Sequence, residues 1–326
     1  MKNYLLTGSA GFIAYKVADL LLKDGHTVYG IDKIDDAYDV RLKHYRLDLL
    51  RKHSNFHFLK ADIADRDIVV SLSNFLPESV DGVINLAARA GVRTSLSDPW
   101  IYVDTNVTGT LNMLELCRQR SIPKFVLAST SSLYAEVSTP PFKENYDTDH
   151  PLQPYAATKK GAESLAHAYH HLYELDVTVL RYFTVYGPAG RPDMVMFRFC
   201  QWISEGKPVV VNGDGEQSRG FTYLDDIARG TILALKPLGY EIINLGGHQV
   251  ITINQLIHML EERLGKKANV TYAPFHTADV HTNQADVSKA RELLGWQPQV
   301  DLAVGVDRLV AWYLQEHAWV KDVETP

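Results

Sequence analysis

Tyr4-Leu5-Leu6-Thr7-Gly8-Ser9-Ala10-Gly11-Phe12-Ile13-Ala14 decides how the chain folds. The apolar run at its start reads as a buried strand, and residues 11–24 read as an amphipathic helix. Between them stand small residues at fixed offsets. Gly8 allows the tight turn, Gly11 lets the backbone approach a pyrophosphate, and Ala14 is small enough for helix and strand to pack closely. The start of the helix at Gly11, Phe12 and Ile13 offers unpaired N–H groups and the positive end of the helix dipole to an anion.

The pattern repeats outward. Thr27 to Ile31, Asn55 to Lys60, Val83 to Leu86, Lys124 to Ala128 and Val177 to Leu180 read as strands, with helical patterns near 65–75, 98–120 and 153–175 between them. Strand and helix in alternation predict an α/β fold, a Rossmann-type doubly wound parallel sheet covered on both faces. After residue 183 the texture changes. Loop signals at Gly187-Pro188, Gly190-Arg191-Pro192 and Gly213-Asp214-Gly215 separate shorter helices near 192–205, 224–235, 253–264 and 301–317. The expected division is a dinucleotide-binding domain over 1–182 and a smaller α/β C-terminal substrate lobe over 183–326, with 222–248 returning to the first sheet.

The ends of the strands carry the cofactor signals. Asp32 closes the second strand, where a carboxylate can accept from both ribose hydroxyls of NAD and repel the 2′-phosphate of NADP. Lys33 beside it weakens that repulsion. Asp62 and Ile63 follow the third strand, where the adenine would lie. Leu86, Ala87 and Ala88 follow the fourth, where small residues let the dinucleotide pass close to the backbone. NAD is the expected cofactor.

Tyr155 and Lys159 are four residues apart in a helical stretch and so share a face. An ammonium beside a phenol favours the phenolate, so the expectation is a Tyr155 pKa below the usual value of about 10, suited to a general base. Ser129-Thr130-Ser131-Ser132 follows a strand directly, which places hydroxyls at the mouth of the cofactor crevice, able to hydrogen-bond a reacting oxygen.

Bulk composition excludes several classes of function. The 326 residues are 46% hydrophobic and 22% charged, with a formal net charge of -6. No basic block suggests nucleic acid, and no apolar run reaches the roughly 18 residues of a membrane span. Cys117 and Cys200 are far apart and read as buried thiols rather than a disulfide. His167, His170 and His171 cluster without a carboxylate or cysteine at ligand spacing, so no metal is expected. The N-terminus runs straight into a strand without a signal-peptide pattern, and the expected compartment is the cytoplasm.

Taken with these sites, three segments resemble the extended short-chain dehydrogenases/reductases of the nucleotide-sugar epimerase/dehydratase group, and within it the UDP-glucuronate 4-epimerases. They are Asp32 to Lys43, the run Ala87-Ala88-Arg89-Ala90-Gly91-Val92-Arg93, and Phe183-Thr184-Val185-Tyr186-Gly187-Pro188-Ala189-Gly190-Arg191-Pro192-Asp193-Met194. The similarity spans nearly the whole chain. It implies a tightly held NAD, a UDP-sugar substrate, a homodimer formed through the helices near 98–120 and 153–175, and Thr130, Tyr155 and Lys159 as catalytic residues. It also implies substrate contacts from Arg93, Ser131, Ser132, Thr184, Arg191, Arg219 and Asp279, with Arg219 on the diphosphate and Asp279 near the ribose.

The chain departs from the family at Ala14, Ala135, Gly220 and Thr277-Ala278, where Gly, Gly, Asp and Pro-Gly are usual. Four other readings stand against C4 epimerisation of UDP-glucuronate. A 4,6-dehydratase would need Asp-Glu after Thr130, where Ser131-Ser132 stand. A UDP-glucose 4-epimerase, a UDP-glucuronate decarboxylase and a non-catalytic NAD-binding sensor are the others. The last would be expected to lack Tyr155 or Lys159.

Overall fold

The computed structural model describes residues 1–134, 139–274 and 282–325. The first half builds the predicted sheet from β1 (Asn3–Thr7), β2 (Thr27–Asp32), β3 (Phe56–Lys60), β4 (Gly82–Asn85), β5 (Lys124–Thr130) and β6 (Asp176–Tyr182). A seventh strand, which we number β10 (Tyr240–Leu245), returns from the second half to pair with β6. The order is β3-β2-β1-β4-β5-β6-β10, with every pairing parallel. The sequence direction reverses between β1 and β4, so a crevice opens there at the carboxyl ends of the strands.

Alternation along the strands sends side chains to two separate cores. Tyr4, Leu6, Val126, Ala128 and Leu180 face α1 (Phe12–Lys23) and α8 (Leu224–Leu233). Leu5, Phe125, Leu127, Val177 and Val179 face α3 (Ile68–Phe75), α5 (Gly109–Arg120) and α6 (Pro154–Tyr173). Each fully buried Leu or Val stabilises the fold by about 1.5–3 kcal/mol relative to exposure. The helical pattern near 98–120 proves to be three pieces: α4 (Trp100–Tyr102), a π-helical segment (Val103–Thr108) and α5.

The second half contributes α7 (Val195–Ser204), α9 (Ile253–Leu264) and α11 (Leu302–Gln315), near the predicted spans. It also holds strands that periodicity did not reveal. β7 (Thr184–Tyr186), β9 (Ser218–Tyr223), β11 (Val250–Thr252) and β13 (Thr282–Asn283) form one small sheet, and β8 (Pro208–Asn212) pairs β12 (Asn269–Ala273). These strands are short, and most lack a clean period of two. Thr222 and Tyr223, the first residues of the span expected to rejoin the large sheet, belong instead to β9 of the small one, while α8 packs on α1 and β10 completes the large sheet.

Helix α2 (Val40–Leu50), also missed in the sequence, joins the halves. Its Leu50 packs in the core of α1, but its Leu42 packs with Tyr186, Met196, Phe197 and Trp312 of the second half. Between them Arg46 is fully buried. Its guanidinium donates to the carbonyls of Ala10 (3.1 Å), Ala189 (2.7 Å) and Gly190 (3.1 Å) and to the Tyr38 hydroxyl (2.6 Å). One cation therefore ties the glycine-rich turn to the loop that carries Arg191. Replacing Arg46 with Met keeps the bulk and strands buried carbonyls, so we expect a loss of about 3 kcal/mol and a fall of several degrees in Tm. An unchanged melting curve would show that these bonds carry no stability.

Candidate functional site

The crevice is a cavity of about 690 Å³ running from the glycine turn to the small sheet. Its first wall follows from Thr7. The Thr7 hydroxyl donates to Asn85 (2.7 Å) and accepts the N–H of Ala87 (2.9 Å), drawing the chain after β4 against the turn. A Cβ on Gly8 would lie 2.8 Å from the Ala87 Cα, and Gly8 has φ +68°. A Cβ on Gly11 would lie 2.8 Å from the Gly8 carbonyl oxygen. No side chain caps α1 at Gly11, so the first-turn N–H groups of Phe12 and Ile13 face the crevice unclaimed by a cap. The turn is thus shaped for a backbone-bound pyrophosphate, and the residues present fit a dinucleotide.

Asp32 is buried at the end of β2. Its carboxylate accepts the N–H of Ala10 (3.1 Å) and of Ile34 (2.8 Å). Burial pushes its pKa up, against Lys43 and those two N–H groups. Lys33 bridges Asp35 and Asp62, at 3.3 Å from each.

The opposite wall is built by β5 and the start of α6. Tyr155 lies in the first turn of α6, packed edge-on to Tyr102 at 6.1 Å between ring centroids. Thr130 and the positive charge of Arg191 are the groups that favour its phenolate. The expected lowering of this pKa by Lys159 is corrected by the structure. Burial dominates and raises the phenol; Thr130 and Arg191 pull it back, and Lys159 is not among the groups acting on it. Lys159 is buried too, which pushes its ammonium down to about 8, with Glu163 as the opposing influence.

Glu163 anchors this wall from below. It accepts the Ser129 hydroxyl (2.5 Å) and a two-pronged ion pair from buried Arg181 (3.0 and 2.7 Å). Asn106, in the π-helical segment, accepts the N–H of Arg89 (2.9 Å), donates to its carbonyl (3.0 Å) and donates to the Thr158 hydroxyl (3.0 Å). Neither residue stood out in the sequence; each is a single polar side chain within a helical pattern.

The cavity wall includes Gly8, Gly11, Phe12, Ile13, Asp32, Lys33, Asp62, Ile63, Leu86, Ala87 and Ala88 on the cofactor side. On the other side it includes Arg93, Thr130, Ser131, Ser132, Tyr155, Lys159, Thr184, Arg191 and Arg219. Arg191 makes a bidentate pair with Asp193 (3.0 and 2.5 Å). Ser131 accepts from Asn283 (3.1 Å), and Asn212, with its amide oxygen turned toward Arg93, accepts from that guanidinium at 3.2 and 2.7 Å. Arg219 donates to the Ser218 carbonyl (2.8 Å). The lining residues Arg198, Asn212, Gln217 and Asn283 were not singled out in the sequence, because only the folding of the second half onto the crevice brings them there; Arg89 entered only as a member of the run after β4. Asp279, Ala135 and Thr277-Ala278 lie outside the described residues. His167 and His170 flank the Tyr240 ring, and among the described residues no group of His, Cys, Asp or Glu is disposed to hold a metal ion. None of their helices is long and apolar enough to cross a membrane.

A doubly wound parallel sheet, a glycine turn at its switch point and a Tyr/Lys pair facing that turn define an NAD-dependent extended short-chain dehydrogenase/reductase. A family model described as GDP-mannose 4,6 dehydratase matches residues 5–309, and the chain belongs to that family. It is 55% identical to the UDP-glucuronate 4-epimerase of Thermodesulfobacterium geofontis, over 99% of this chain and all of that one. The crystal structure of the UDP-glucuronic acid 4-epimerase of Bacillus cereus, in complex with UDP-glucuronic acid and NAD, superposes with a TM-score of 0.90 at 37% identity, covering 96% of this chain and 99% of that one. The UDP-glucose 4-epimerase of Thermotoga maritima, solved with UDP-glucose, has a TM-score of 0.88 at 31% identity, with 97% and 99% covered.

The electrostatics of this wall give a direct expectation. Replacing Glu163 with Gln removes the charge that holds Lys159 up, so the Lys159 pKa should fall below about 8. Breaking the buried pair with Arg181 should also cost about 3–5 kcal/mol of stability. NMR titration of methyl-labelled lysines reads the first effect and thermal denaturation the second; a Lys159 pKa that rises or stays put contradicts the assignment.

Proposed function

We propose that this protein is an NAD-dependent 4-epimerase of UDP-sugars that interconverts UDP-glucuronate and UDP-galacturonate through a transient 4-keto sugar. The observation that carries the reading is the Tyr155 phenol lining one cavity with Thr130, Lys159 and Arg191, on the wall facing the glycine turn. The full-length similarity to a UDP-glucuronate 4-epimerase supports it.

NAD would be held by the turn at Gly8, Gly11, Phe12 and Ile13, by Asp32 and Lys33, by Asp62 and Ile63, and by Leu86, Ala87 and Ala88; when bound it supplies the hydride acceptor and donor. The chain's own residues handle the proton. Tyr155 takes the proton of the C4 hydroxyl, assisted by Thr130, and returns it when the keto group is reduced from the other face. Arg191 places positive charge on the side of the site where phenolate forms, and Lys159 lines the same wall one helical turn from Tyr155. No net oxidation results, because the proton that leaves the C4 hydroxyl and the hydride that leaves C4 both return.

A uronic acid adds a hazard, since its 4-keto form is a β-keto acid and can lose carbon dioxide. Ser131, Ser132 and Arg191 hold the carboxylate in an orientation that disfavours cleavage, and Asp193 fixes the Arg191 guanidinium for that task. Arg93, Thr184, Arg219 and Asp279 complete the contacts to the UDP-sugar. The family model is described by a dehydratase, but Ser131 and Ser132 offer no acid and base for eliminating water across C5 and C6.

We assign residues 1–182 with 222–248 to cofactor binding and the rest of 183–326 to the nucleotide sugar. The proposed setting is a cytoplasmic homodimer, for which Trp100, Val103, Leu172 and Tyr173 supply exposed apolar surface on the helices concerned.

Two substitutions test the roles. Tyr155→Phe should lower kcat by about 10²- to 10⁴-fold while bound NAD persists; near-normal turnover would remove Tyr155 as the base. Arg191→Ala should release a UDP-pentose beside the epimer, seen by NMR of the products. An unchanged product spectrum removes Arg191 from guarding the carboxylate.

A further inference from the structure

We propose that Asp35 is a second determinant of which dinucleotide this chain holds, acting by occupying Lys33, Lys43 and Arg89, cations that would otherwise receive a 2′-phosphate. The inference rests on the NAD site proposed above and concerns its ribose end.

Asp35, Lys33, Lys43 and Arg89 line the same cavity as Asp32. The Asp35 carboxylate pairs with Lys33 (3.3 Å) and with the Arg89 guanidinium (3.3 Å), and its other oxygen accepts from Lys43. Lys33 also reaches Asp62 at 3.3 Å. The cluster adjoins the ribose-recognising carboxylate, because Lys43 and Asp35 both act on the charge of Asp32. It therefore joins the loops after β2, β3 and β4 to helix α2.

Asp32 alone is a weak barrier to a phosphate here. A phosphate monoester is close to a dianion near neutral pH and seeks guanidinium and ammonium donors. Three such cations around one carboxylate would attract it. With Asp35 and Asp62 beside Asp32, Lys33, Lys43 and Arg89 face three carboxylates. The guanidinium and both ammonium groups are then already directed at carboxylate oxygens. Asp35→Asn keeps the shape, leaves one cation in excess and removes one repulsive charge.

The test is a competition read by binding. Wild type and Asp35→Asn are each equilibrated with equimolar NAD and NADP, freed of unbound nucleotide and analysed by mass spectrometry. The expected result is at least a tenfold rise in the bound NADP to NAD ratio in Asp35→Asn, reversed by adding Lys43→Met. A ratio within twofold of wild type, or equal loss of both dinucleotides, overturns the proposal and makes Asp35 a brace between loops. Should Asp35→Asn fail to fold, Asp35→Ser is measured in the same way, and failure of both overturns the proposal as well. Wild type that retains neither dinucleotide defeats the NAD reading itself, a result distinguishable from the others.

Discussion

The approach of Ala87 to Gly8 is the constraint on which the site depends. The hydroxyl of Thr7 holds the Ala87 N–H, and Gly8 leaves out the Cβ that would strike the Ala87 backbone. Both strands end there because the sheet reverses its order between β1 and β4. A larger residue at Gly8 would push the two strand ends apart, and the crevice between them is where a dinucleotide backbone must fit. Everything opposite, from Thr130 to Lys159, is useful only at the distance this contact sets.

A second constraint closes the far side. Arg46 braces it by binding carbonyls from the glycine turn and from the Ala189-Gly190 loop at once. Arg191 follows that loop directly, so the cation that faces Tyr155 is positioned by the same bonds that position the turn. Burying an unpaired guanidinium would cost several kcal/mol; three carbonyls and a phenol offset it here.

The large sheet was legible because its strands are buried on both faces and bounded by glycine, aspartate and long helices. The cofactor residues were legible for a related reason: they stand at strand ends, where position alone implies contact with the crevice. The Tyr155/Lys159 pair could be read from i, i+4 spacing, but its electrostatics could not. Spacing says that two side chains share a face; it does not say how deeply they are buried, and burial reversed the expected direction for Tyr155. Glu163, Arg181 and Asn106 were invisible because their partners are distant in sequence: Glu163 on α6 meets Ser129 of β5 and Arg181 of β6, and Asn106 meets Arg89 and Thr158. Asn212 and Asn283 were invisible because their strands are five and two residues long and pair across 60 or more residues of chain, and Gln217 because it stands in the loop just before β9.

The most direct test of the central claim is to incubate the purified protein with UDP-glucuronate, adding no NAD, and to follow the sugar by NMR. The account predicts UDP-galacturonate with no net NADH, because the hydride is returned to the same carbon. Conversion of UDP-glucose in place of UDP-glucuronate, or a UDP-pentose as the product of the unaltered protein, would contradict it.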